Sequence, residues 1–159
     1  LLNFFKRETK PFEKMIEDSS KIGKNVRLAH NVYIGHDTII GDNVVIYPNV
    51  TIGEGVTIGE GTIIYSNVTV REFCKIGKNC VIYQNVTLGK KGTFYLDDGN
   101  INDYPNIGDN VIIYAGAMII GNVKIGNNVI VGANSVVTID VPDNSIVGGI
   151  PAKILKKRS

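Results

Sequence analysis

Tryptophan is absent from the 159 residues, and cysteine occurs only twice, as Cys74 and Cys80. Two cysteines cannot staple a disulfide scaffold, and they point to a reducing, cytoplasmic setting. Charge of one sign is lacking as well: 17 basic against 15 acidic side chains leave a formal net charge of +2. Such a balance gives no broad field for nucleic acid; only the tail, with Lys153, Lys156, Lys157 and Arg158, is locally basic. No apolar run approaches the roughly 18 residues of a membrane span. The opening residues, from Leu1 onward, do not read as a secretory signal. Leucine is scarce, with 6 residues against 24 Ile and 18 Val. Together with 17 Asn and 18 Gly, these are materials for strands and turns rather than helices. At this length one domain can bury its own core without disulfides or metal.

What is present is a period. From Ile22 every sixth residue is Ile, Leu or Val through Leu88, and the phase restarts at Ile107 and runs to Val137. The fourth place of each hexad is as regular. It holds Asn25, Asn31, Asp37, Asn43, Asn49, Gly55, Gly61 and Asn67, then Phe73, then Asn79 and Asn85. After the restart it holds Asn110, Gly116, Asn122, Asn128, Asn134 and Asp140. Asn, Asp and Gly enter the left-handed region most cheaply, so each hexad reads as a short strand ending in a turn with positive φ. The fifth place is small or β-branched, as in Val26, Thr38, Cys74, Cys80 and Ala117, and is expected to face inward. Packing rather than redox chemistry is the reading for both cysteines. One hexad cannot bury its apolar face, but stacked coils can, and three hexads per coil make a triangular prism walled by parallel sheets.

This pattern resembles the left-handed parallel β-helix of hexapeptide-repeat acyltransferases; the handedness is implied by the resemblance. The fold expected is all-β, with a prism over 21–147, a tail over 148–159 and an N-terminal segment over 1–20. In that segment Phe4, Phe5, Phe12, Met15 and Ile16 are spaced for a short amphipathic helix. The excursion over 89–106 is polar, Gly-rich and aromatic, and so long a loop in a regular solenoid is more often functional than a tolerated insertion.

Within the superfamily, the resemblance is to serine acetyltransferases and their relatives in polysaccharide gene clusters. It rests on Gln84-Asn85-Val86-Thr87-Leu88-Gly89 before the loop, Tyr104-Pro105-Asn106-Ile107 at its return, Ile113-Tyr114-Ala115-Gly116-Ala117 and Val131-Gly132-Ala133-Asn134-Ser135. The terminal Gly149-Ile150-Pro151-Ala152-Lys153 is similar to the family's closing element. The resemblance implies a homotrimer with sites between neighbouring prisms and acetyl-CoA as cosubstrate. Ala115 and Ala133 would meet its pantetheine arm, and Lys153 and Lys157, with Arg158, would meet its phosphates. The departures are chemical. Tyr104 stands where the family has a loop histidine, Asp103 where it has the arginine that holds the serine carboxylate, and Ser66 where it has the second histidine. Asp103 argues against an amino-acid carboxylate as ligand.

The histidines, His30 and His36, hold third places in their hexads; His36-Asp37 is similar to the general-base pair of lipid A and amino-sugar acyltransferases. With two histidines, a zinc carbonic-anhydrase relative is excluded, and no metal is expected. The expected function is therefore acetyl transfer from acetyl-CoA to a hydroxyl or amine of a small molecule, a sugar foremost. The site residues expected are Tyr104, Asp103, Ser66 and His36. The alternatives are a serine acetyltransferase and a non-catalytic hexapeptide-repeat protein. An amine acceptor would need no base, only positioning and oxyanion stabilisation.

Overall fold

The computed structural model describes residues 14–89 and 103–159. Phe4, Phe5 and Phe12, and the excursion from 90 to 102, lie outside the described residues. Strands are numbered in chain order from β1 (Lys21–Ile22) to β20 (Ala152–Lys157), and most contain only two residues. They stack into three sheets of six, eight and six strands, formed by every third strand except where β19 (Ser145–Gly149) and β20 close the eight-stranded sheet. These are the walls of the prism, a left-handed β-helix. Among the described residues there is no helix. Residues 14–20 therefore do not take the helical form expected of them; instead Ile16 makes a parallel bridge to Ile34. No helix of the described residues is long and apolar enough to cross a membrane.

The six-residue column is the core. Ile34, Ile40, Ile46, Ile52, Ile58 and Ile64 are essentially buried, and so are Ile82, Leu88, Ile107 and Ile113 above them. Val44, Val50, Cys74, Cys80 and Ala117 fill the fifth places with no exposure. Thr38 and Thr62 share that column and satisfy their hydroxyls by donating to the carbonyls of Gly53 and Gly77, each at 2.9 Å. At the open N-terminal end the column is unfinished, which leaves Ile22 39% exposed.

The corners carry the positive φ angles. Asn25, Asn31, Asp37, Asn43 and Asn49 lie between 56° and 62°, as do Asn67, Phe73 and Asn85. Their side chains also stack: the amide of Asn31 donates to Asn49 Oδ1, eighteen residues on. Two expected corners are corrected. Asn122 is not in the left-handed region; Gly121 takes it instead, at φ 93°. There β15 (Met118–Ile120) has three residues, like the strand it pairs with, β12 (Thr87–Gly89), and the positive φ comes one residue sooner, directly after it. Asp140 is not left-handed either, and Asn144 is, at φ 57°. There the coil is shorter, since Asn127 and Asp143 bond across sixteen residues rather than eighteen. Asp140 instead accepts the Lys124 N–H at 2.8 Å.

At the C-terminus β19 (Ser145–Gly149) extends the second wall, and β20 folds back antiparallel upon it. Lys153 and Lys157 lie on that outer, exposed strand.

The two middle corners make a direct comparison. Asn128→Val should destabilise by about 1–2 kcal/mol, because a β-branched residue resists positive φ. Asn122→Val should stay within about 0.5 kcal/mol. Urea unfolding of both variants checks this, and equal losses would contradict the placement.

Candidate active site

The prism is broken at one corner. Strand β12 (Thr87–Gly89) pairs with β15 over three residues, and the chain departs after Gly89. It is back on the wall at β13 (Asn106–Ile107), laid on β10 (Lys75–Ile76). Behind the excursion the Gly121 N–H donates to the Gly89 carbonyl at 2.9 Å and closes the coil. Hydrogen bonds that elsewhere join residues eighteen apart join Lys78 to Asp109, thirty-one apart.

Beneath this break lies the corner Arg71-Glu72-Phe73-Cys74. Phe73 has φ 60°, an uncommon backbone for a bulky residue, costing on the order of 1 kcal/mol. Its ring is accommodated because Gly55 lies one coil below; a Cβ there would sit 2.5 Å from Phe73 Cδ1. From above, Tyr104 meets Phe73 edge to face, with centroids 5.7 Å apart and planes at 66°. The Tyr104 side chain is buried, and its hydroxyl donates to Glu72 Oε1 at 3.1 Å. Arg71 grips the same carboxylate through Nε at 2.9 Å and Nη2 at 2.8 Å. Burial alone would raise the Glu72 pKa. The Arg71 hydrogen bonds and charge, a backbone N–H and the Tyr104 hydroxyl outweigh burial and hold it below its ordinary value.

Phe73, Tyr104 and Pro105 form the apolar side of a cavity of about 320 Å³, with Gly55 at its edge. Lys75, Asn106 and Asn122 supply its polar side. An apolar pocket with a few convergent polar groups is the usual build of a small-molecule site.

Of the residues singled out in the sequence, Tyr104 belongs to this cavity and Asp103 precedes it, half-buried. Ser66 does not. It stands at another corner, in the column of His30, Pro48, Gln84, Ala115 and Ala133, linked rung by rung by backbone bonds. One chain therefore does not bring Ser66 and Tyr104 together. Ala115 is partly and Ala133 fully exposed there, so the small side chains keep the corner low. Beside them runs a ladder of stacked tyrosines, Tyr47, Tyr65, Tyr83 and Tyr114, with centroids 4.7, 5.1 and 5.3 Å apart. A tyrosine recurring every coil was the available signal for it.

His36 shares the corner of Tyr104 but lies two coils below Glu72, roughly 10 Å away at the usual strand spacing. Its Nδ1 is 3.3 Å from Ser19 Oγ and its Nε2 is 3.5 Å from Glu17 Oε2. Glu17 is a buried carboxylate that also accepts the Tyr33 hydroxyl at 3.1 Å. Burial foremost, with Glu17 beside it, pushes the Tyr33 phenol up to about 12. His36 is thus engaged at the foot of the prism, away from the break. Both cysteines are buried and unpaired, and burial above all pushes the Cys74 thiol up to about 12. That favours the inert thiol over the reactive thiolate. Among the described residues no three His, Cys, Asp or Glu side chains gather as metal ligands.

A left-handed β-helix broken once, with a polar-rimmed cavity at the break, is the architecture of a hexapeptide-repeat transferase. The chain matches the family "Bacterial transferase hexapeptide (six repeats)" over residues 19–54, 55–90 and 104–138, and it belongs to that family. It is similar to the serine acetyltransferase of Staphylococcus aureus strain Mu50, at 57% identity over 54 residues. That alignment covers 34% of this chain and 25% of the relative. Among solved structures, the serine acetyltransferase of Neisseria gonorrhoeae superposes with a TM-score of 0.53 at 35% identity. It covers 74% of this chain and 41% of that one. The Brucella abortus serine acetyltransferase in complex with coenzyme A gives 0.53 at 32% identity, covering 72% and 42%. The chain therefore spans a quarter to two-fifths of the relatives it matches.

Glu72 generates a pH-dependent expectation. A carboxyl held below its ordinary pKa stabilises the fold at neutral pH, and this contribution is lost as pH falls through the folded value. Glu72→Gln should accordingly melt below the native chain at pH 7, with the difference shrinking towards about pH 3. Melting curves across that range check it; a constant difference would contradict the clamp.

Proposed function

We propose that this chain is the β-helical part of an acetyltransferase that moves the acetyl group of acetyl-CoA to the hydroxyl of serine. The observation that carries this reading is the position of the cavity. It lies at the return of the excursion and is lined by residues of the matched hexapeptide repeats. The coenzyme A complex of the Brucella abortus relative supports acetyl-CoA as the donor. The sugar acceptor expected from the sequence gives way to serine, since the relatives are serine acetyltransferases.

In the proposed reaction the serine oxygen attacks the thioester carbonyl carbon, the carbon–sulfur bond breaks, and the hydroxyl proton ends on the departing thiolate. Tyr104 gives its own proton to the hydrogen bond with Glu72, so its oxygen keeps lone pairs for the serine hydroxyl. A phenol is a weak base at neutral pH, so its work is orientation of the attacking hydroxyl. The coenzyme would lie along Ala115 and Ala133, with Lys153 and Lys157 near its phosphates. Because the Ala115 column and Tyr104 occupy different corners of one chain, a homotrimer in which a neighbour supplies the second corner completes the site.

The full chain should release coenzyme A thiol from acetyl-CoA when L-serine is added, and should sediment as a trimer. Tyr104→Phe should lower kcat about tenfold or more, with the KM for acetyl-CoA nearly unchanged. A folded Ala133→Trp variant should lose coenzyme binding. Coenzyme binding without turnover of L-serine or any other small hydroxyl or amine would favour the non-catalytic reading instead.

A further inference from the structure

The proposed acceptor carries a carboxylate, which calls for a cation or hydrogen-bond donors in the cavity. We infer that Lys75, with the amides of Asn106 and Asn122, forms a carboxylate-binding site in the cavity beside Tyr104. Among the described residues that line the cavity, Lys75 is the one that is charged. It projects outward from β10 in register with Asn106, and Asn106 stands in turn opposite Lys124. The outward column thus places a lysine on each side of an asparagine. An ammonium and two carboxamides offer only donors and adjustable amides, a set that matches a carboxylate and not a cation.

Glu72 accepts the Tyr104 hydroxyl, and its charge is offset by the two Arg71 bonds. Among the described residues no carboxylate pairs with the Lys75 ammonium. About 320 Å³ is at the small end for ligand pockets and suits an amino acid or short hydroxy acid rather than a nucleotide sugar. Asn122 lines the cavity, directly after Gly121 with its positive φ.

This assignment rests on the serine reading for its ligand, and the test separates the two. Amide spectra of the full-length chain would be followed while L-serine, or L-serinamide as its carboxylate-free analogue, is added. L-Serine should shift the resonances of Tyr104, Asn106 and Asn122 and bind about tenfold or more tighter than L-serinamide. Lys75→Gln should erase that preference while leaving acetyl-CoA binding intact; Lys75→Arg should largely keep it. Equal affinity for the two ligands in the native chain, or an unchanged preference in Lys75→Gln, overturns the carboxylate site. Binding of L-serine at these residues without thiol release from acetyl-CoA would uphold the site and defeat the proposed acceptor.

Discussion

The whole structure depends on one register: each coil lays its strands on the coil below, residue on residue, eighteen positions apart. The pairing is visible in Lys21 with Ile39 and, farther along, in Val81 with Ile63. A chain that must turn three corners within that span has room for strands of two residues and little else. Each corner then needs a residue content with positive φ, which is why Asn and Gly recur where they do. The apolar column follows from the same geometry, because only the side chains that point inward at that period can be covered from above and below.

A register so uniform makes any local departure costly, and the departures cluster. Phe73 in the left-handed region, Gly55 beneath it, the lengthened β12 and β15, and the shift of positive φ to Gly121 all adjoin the excursion. Backbone outliers of this kind persist where surrounding packing over-determines them, and they concentrate at functional sites. Here the packing is the Phe73–Tyr104 contact and the clamp of Arg71 and Tyr104 on Glu72. The cavity lies against this packing, with Phe73 and Tyr104 in its lining.

The prism was legible because periodicity of six is a property of sequence alone, and Ile34 to Ile125 obey it in the structure. Asn122 and Asp140 were misplaced because counting in sixes assumes equal strands and coils, whereas β15 has a third residue and the last coil is two residues shorter. Tyr104 was legible through its place beside Pro105 at the end of the excursion. Glu72 and Lys75 were not, since outward positions of a hexad tolerate any polar residue. Their importance depends on which corner lies beneath the excursion, and that only the folded chain shows. His36 looked chemically apt in sequence, yet its neighbours Glu17, Ser19 and Tyr33 come from the prism's first turns, far from the break.

The central claim is that the break in the stack, and not the foot of the prism, receives the acceptor. A crystal structure of the chain with coenzyme A and L-serine bound tests it most directly. The account predicts density for the amino acid between Phe73, Tyr104 and Lys75, with its hydroxyl towards Tyr104 Oη. An amino acid seated instead beside His36 and Glu17, with that cavity empty, would contradict it.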